Sequence, residues 1–593
     1  MDSALIDQFS KQLATFTRTR TAPLIIELDL TEGVIESRPP DPLAAFQTRH
    51  QLTVADVVAG LKLARDDNRV KALVAKVGGK PIGLATVQEL RDAVRRFCEA
   101  GKPTIAWAET FGEFSAGNVP YYLATAFDTI YLQPSGEVGL TGIAVERRFL
   151  RGTLDKLGIT MQIGARHEYK SAAEQLTEHG FSGPAREATE RMAESVIAQI
   201  ATGIADRRAI TLEDANRLIN EGPFLAEQAL DAGLVDALGY RDEVYAAARK
   251  MISAPAPELL YLGRYARSKE MASRAKRLAM QSARSREPAV ALIQATGGIR
   301  RGRSGRSPMT GQSIGSDSMT AALRAATADS HIGAIVLRVN SPGGSYVASD
   351  TIWREVVRTR NAGKPVVVSM GDVAASGGYF ISMAADVIVA QPGTITGSIG
   401  VITGKPVLSE MLGKAGITTD SVVKGDHAAM FSTAHPFTEV EWALIDSWLD
   451  RIYADFTGKA AAARGLSAER VHELARGRVW SGADAAERDL VDELGGLEDA
   501  TAIARRRAGL PATAPLVPYP RISPLERLRP PANSEDRRAA ARAAAPGTAA
   551  LLVGSALGES MLAEAWGPLW RLAAGMGLPA QGPLMLPGIW SFE

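Results

Sequence analysis

Shifted by 258 residues, the chain falls on itself: Gln133-Pro134 meets Gln391-Pro392, Ala126-Phe127-Asp128 meets Ala384-Ala385-Asp386, and Gly142-Ile143 meets Gly400-Val401. Two paralogous halves must therefore share one architecture. Each half opens with a short apolar run (23–30 and 288–296), continues through a helical pattern (53–66; 318–329) and reaches a second apolar run (72–77; 334–339). A helix (86–100; 349–362), a Gly-Lys-Pro turn (101–103; 363–365) and a third run (104–108; 366–370) follow. Strands alternating with helices of this length indicate βα units around largely parallel sheets, so the fold class is α/β, duplicated in tandem. A long helical section (184–207; 439–463) and the closing strings Gly233 to Asp236 and Asp489 to Asp492 complete each copy.

The duplication also divides chemistry. At the same shift Ser376, in Ala374-Ala375-Ser376-Gly377-Gly378, stands opposite Asn118, and Lys170, in Glu168-Tyr169-Lys170-Ser171-Ala172, stands opposite Ala428. One half offers a candidate nucleophile and the other a candidate base.

With 593 residues, 46% hydrophobic and 22% charged, the chain is long enough for several globular domains, and its net charge of +1 calls for neither nucleic acid nor an acidic partner. The single cysteine, Cys98, excludes an internal disulfide and a cysteine-based metal cluster. Residues 1–22 form an N-terminal segment with no signal-peptide pattern, and no uncharged apolar stretch of about 18 residues signals a membrane span. The organisation expected is a first repeat over 23–250, a basic connector over 251–287, a second repeat over 288–505, and an Ala/Arg/Pro-rich linker with a C-terminal helical segment over 506–593. The Lys/Arg-rich part of the connector reads as a solvated linker helix or a membrane-surface contact. Within 548–577, Leu551, Leu557, Met561 and Trp566 can share an apolar helical face, suited to the protein body, a sister subunit or a membrane.

Acyl-transfer chemistry needs an activated hydroxyl and donors aimed at the developing oxyanion. The run 334–339 leads into Asn340-Ser341-Pro342-Gly343-Gly344-Ser345, whose glycines let backbone amides approach a carbonyl oxygen. The next run leads through Gly371-Asp372 to Ser376, followed by Gly377-Gly378-Tyr379 at a helix start, where the Gly377 N–H lacks an intrahelical acceptor. Taken alone, each element is ordinary: a Ser-Gly-Gly step is commonly an N-cap, and Pro-Gly-Gly a tight loop. Their conjunction at the C-terminal ends of neighbouring strands is where α/β sheets place ligands. The first copy has Val77-Gly78-Gly79-Lys80-Pro81 and Asn118 at these places, so it cannot perform the same acylation. Seven histidines (50, 167, 179, 331, 427, 435 and 472) leave a Ser-His-Asp triad open on number, yet none stands in a recognisable triad context. Burial can lower a lysine pKa by up to about 3 to 5 units, which would make Lys170 a neutral base.

The strings Ser341-Pro342-Gly343-Gly344, Met370 to Tyr379, Pro392 to Val401 and Glu168 to Ala172 resemble the signal peptide peptidase A family in its long, duplicated form, over about 23–501. The resemblance implies a Clp-protease/crotonase-like fold and a Ser/Lys dyad of Ser376 and Lys170. It further implies an oxyanion hole at Gly344 and Gly377, and a membrane-associated homotetramer that cuts signal-peptide remnants without metal or cofactor. Many members begin with a membrane anchor that is not apparent here, so peripheral membrane contact through the connector or the C-terminal segment is expected, with a cytoplasmic location as the alternative. An acyl-CoA enzyme of the crotonase type and a non-catalytic membrane scaffold are the competing readings. Because a ring would set halves of neighbouring subunits side by side, the dyad is expected to be shared between chains.

Overall fold

A computed structural model describes residues 22–39, 46–252, 257–280, 288–307, 311–520 and 584–585. The N-terminal segment as far as residue 21, the end of the basic connector (281–287) and the helix expected over 548–577 lie outside these described residues.

Each half is built around one largely parallel sheet. Across the first sheet the strands run Ala237–Leu238, Thr129–Leu132, Thr104–Ala108, Val70–Lys76, Leu24–Asp29 and Glu258–Tyr261. The second repeats this order strand for strand: Glu493–Leu494, Val387–Ala390, Val366–Ala375, Ile332–Ser341, Ala289–Thr296 and Leu516–Pro518. The edge strands Glu258–Tyr261 and Leu516–Pro518 again start 258 residues apart, so the duplication runs through the last strand of each sheet. Helices cover both sheet faces, and the central strands are accordingly apolar along their length rather than alternating, as the buried Leu24-Ile25-Ile26 and Val366-Val367-Val368 runs illustrate.

Local chemistry sets the helix boundaries. Thr53 and Asp56 form a reciprocal capping box at the start of Val54–Arg65. The two long helices, Gly183–Arg208 and Glu439–Arg464, are capped by Ser182 and Thr438, and the second stops at Gly465, whose φ of +65° suits glycine.

Three features depart from the sequence pattern. The strand expected to end at Met370 continues to Ala375, because Val373–Ala375 bend away to pair with Ile395–Gly397. The connector helix, Leu262–Met280, is docked rather than merely solvated: Leu262 and Tyr265 are buried against the first half, and Lys269 pairs with Asp67 at 2.8 Å. Finally, Thr160–Ala165 of the first half pairs antiparallel with Ile402–Val407 of the second, with Ala165 opposite Ile402.

The halves are locked together by polar contacts from the helix Leu84–Cys98 and from Glu36. Buried Arg338 of the second half meets Glu89 at 2.9 Å and Glu36 at 2.7 Å. Asp372 accepts hydrogen bonds from the Thr86 N–H (2.9 Å) and hydroxyl (2.8 Å), and the Gly393 N–H donates to Gln88 Oε1 at 2.7 Å. Each contact lies close in sequence to a strand end that carries the site.

Candidate active site

Ser376 occupies the turn between the bent strand Val366–Ala375 and the short helix Gly377–Ser382. Its backbone has φ +53° and ψ −114°, a costly conformation for a non-glycine residue that persists only when its surroundings dictate it. Here the Ser376 N–H donates to the Gly397 carbonyl at 2.8 Å, and its own carbonyl accepts from the Phe380 N–H at 2.9 Å. The serine stands at the N-cap position yet makes no side-chain capping bond, so the cap reading does not account for it. Its hydroxyl instead lies 2.8 Å from Lys170 Nζ.

Lys170 comes from the loop after Thr160–Ala165. The pairing of that strand with Ile402–Val407 carries the loop across the boundary between the halves. The Tyr169 N–H donates to the Arg476 carbonyl (3.1 Å), and Gly477 lies so close that a methyl on it would fall 2.5 Å from Lys170 Cβ. Lys170 is 4% exposed, and burial alone pushes its ammonium well below the ordinary lysine range. No carboxylate is among its partners, which are the Ser376 hydroxyl and the carbonyl and hydroxyl of Ser398, the latter two both at 3.0 Å. A neutral amine has two N–H groups and one lone pair. Donating both to Ser398 leaves the lone pair facing the Ser376 proton.

Ser398, inside the run Pro392 to Val401, is a site residue that sequence reasoning misses. Its signal was a serine inside a Gly-Ser-Ile-Gly run; in the structure it has φ +50° and is wholly buried. Gly344 and Gly377 meet beside Ser376: a methyl on Gly377 would lie 3.1 Å from the Gly344 nitrogen. Gly344 itself has φ +149°, and any side chain there would run into the Ile299 carbonyl.

The expected sharing of Lys170 and Ser376 between chains is corrected by this geometry, because the two meet inside one chain. Lys170 is buried against Gly400 and Gly477, with Ser376 and Ser398 of the same chain as its hydrogen-bond partners. The histidines play no part at the serine. His167 and His472 pack against each other and Tyr453, with ring centroids 4.9 Å apart for the histidine pair. In the first half Asn118 is turned to structure: its amide donates to the Gly142 carbonyl (2.8 Å) and accepts from the Thr141 and Gly142 N–H groups (3.1 and 3.2 Å).

The model of peptidase family S49 matches residues 96–254 and 358–511, once in each half. The chain belongs to this family. Protease 4 of Salmonella typhi is 32% identical over 469 residues, covering 77% of this chain and 72% of that one. Protease 4 of Haemophilus influenzae is 31% identical over 504 residues, covering 81% and 78%. A chloroplastic serine protease SPPA of Arabidopsis thaliana is 31% identical over 446 residues, covering 75% of this chain and 64% of its own length. Family membership favours peptide hydrolysis over the acyl-CoA and scaffold readings. No helix among the described residues is long and apolar enough to cross a membrane.

Proposed function

We propose that this S49 chain is an ATP-independent serine endopeptidase that cuts short apolar or unfolded peptides, signal-peptide remnants among them. The observation that carries the reading is a buried lysine, free of carboxylate partners, 2.8 Å from a serine hydroxyl that caps nothing. Ser376 Oγ attacks the scissile carbonyl carbon as its proton passes to Lys170 Nζ. The resulting oxyanion is held by the Gly344 and Gly377 N–H groups. Lys170 then returns the proton to the leaving nitrogen, and the C–N bond breaks. A water deprotonated by Lys170 attacks the acyl-enzyme, releasing the carboxylic acid and restoring Ser376. Ser398 positions the amine. Fluorophosphonate labelling tests the assignment: we expect one label, mapped to Ser376, with labelling and peptidase activity both lost in Ser376→Ala and Lys170→Ala. Turnover surviving in either variant overturns it.

The homotetramer and the peripheral membrane location implied by the resemblance belong to the same proposal. The repeat supports a ring. Within one chain, Thr160–Ala165 pairs with Ile402–Val407, and the Met411 N–H donates to the Gly158 carbonyl at 3.1 Å. The repeat equivalents are 418–423 and 144–149. Residues 418–423 are exposed with no assigned strand, Val422 by 94%, and 144–149 likewise carry no assigned strand. By the same register, Val423 of one copy would lie opposite Ala144 of the next, a head-to-tail contact that closes a ring when its rotation permits. Membrane attachment would fall to the basic helix Leu262–Met280 or to the C-terminal segment. Fractionation with a salt wash tests it, since release by salt marks a peripheral protein.

A further inference from the structure

Besides its interior contact with Ile299, the strand Gly343–Gly344 has a second edge, and the chain's own C-terminal tail lies on it. Leu584–Met585 pairs antiparallel with this strand, Leu584 opposite Gly344 and Met585 opposite Gly343. The location is chemically loaded, because Gly344 adjoins Gly377 and so flanks Ser376. An extended peptide added to this edge gains main-chain hydrogen bonds beside the nucleophile, the β-augmentation mode of peptide recognition.

The tail's sequence suits such a site. Residues 572–592 carry no charge, and the paired residues sit in Pro583-Leu584-Met585-Leu586-Pro587. The prolines lack N–H groups and confine any ladder to the three residues between them. A contact so short is weak and displaceable. The 63 residues 521–583 tether it, so it re-forms within the molecule at an effective concentration on the order of mM or below.

We propose that the C-terminal tail is a tethered occupant of the peptide cleft, which a substrate must displace from Gly343–Gly344. The proposal rests on the Ser376/Lys170 reading for the identity of the cleft. Its test uses the full chain with Leu584→Pro and Met585→Pro together, removing both backbone donors of the pairing strand. With a fluorogenic apolar peptide we expect KM to fall several-fold at unchanged kcat, and a synthetic peptide of residues 578–593 added to the variant to restore the higher KM competitively. Equal KM in the two chains, or no inhibition by the peptide, overturns the proposal. Binding of the fluorescein-labelled peptide to the double-proline chain carrying Ser376→Ala is read without turnover. Binding there, together with peptidase activity that survives Ser376→Ala, would sink the dyad and leave the tail site standing; active dyad without peptide binding would do the reverse.

Discussion

At Lys170 the physics reduces to a charge that cannot be afforded solvent. Its folded pKa is depressed by burial, so between that value and the unfolded pKa of about 10.4 the unfolded chain binds more protons than the folded one. Across this window stability rises with pH, and it is lost as pH falls towards the depressed value. The proposed role of Lys170 as base ties activity to the same group. We expect kcat/KM to fall with acidity through the Lys170 pKa, and Lys170→Met, which removes the titrating amine, to flatten the matching limb of the stability profile measured by denaturant melts. Ser398→Ala should lower kcat about tenfold with KM little changed, the loss of one hydrogen bond worth about 0.5 to 1.5 kcal/mol that orients the amine. Intact kcat in that variant would reduce Ser398 to packing. Gly344 tolerates no side chain, since a Cβ there would stand 2.1 Å from the Ile299 oxygen. Gly344→Val is therefore a test of strand placement as well as of the oxyanion hole.

Among the elements, the helix Leu84–Cys98 bridges the two halves. Arg338, 2% exposed, faces Glu36 and Glu89, and removing one member of such a buried group strands the others without compensation. Arg338→Ala should therefore cost about 3 to 5 kcal/mol, read as a lower denaturant midpoint. An Arg338→Met, Glu36→Leu, Glu89→Leu triple variant should recover much of that loss, because neither glutamate is left facing an absent guanidinium. A triple variant as unstable as the single one would show that the cluster acts through packing. The same helix holds Asp372 through Thr86, four residues before Ser376, so a loosened boundary would reach the candidate site before the cores melt.

Across the whole molecule, the meeting of Lys170 and Ser376 within one chain sets the expected result of a mixing experiment. Ser376→Ala protein combined with Lys170→Ala protein should regain no activity in mixed oligomers whose composition is verified by mass. Recovery would mean that Thr160–Ala165 exchanges between subunits. The proposed ring contact makes its own demand. Val423→Pro removes a backbone donor from the exposed segment without entering either core, and should shift the sedimenting species to the monomer while leaving the melting midpoint of the monomer unchanged.

The duplication, the order of strands and helices, and the contrast between Ser376 and Asn118 were legible in the sequence because they depend on local pattern: apolar runs, turn residues and a constant offset. The lysine was legible through its motif and its alanine counterpart. Which chain supplies it to the serine was not, since that depends on Thr160–Ala165 finding Ile402–Val407 about 240 residues away, a pairing with no local signature. Ser398 escaped for a similar reason: only the bend of Val366–Ala375 towards Ile395–Gly397 brings its hydroxyl to the amine. Local propensity thus wrote the two halves, and only tertiary packing, by burying one lysine across their boundary, set that lysine beside Ser376 and disfavoured its charged form.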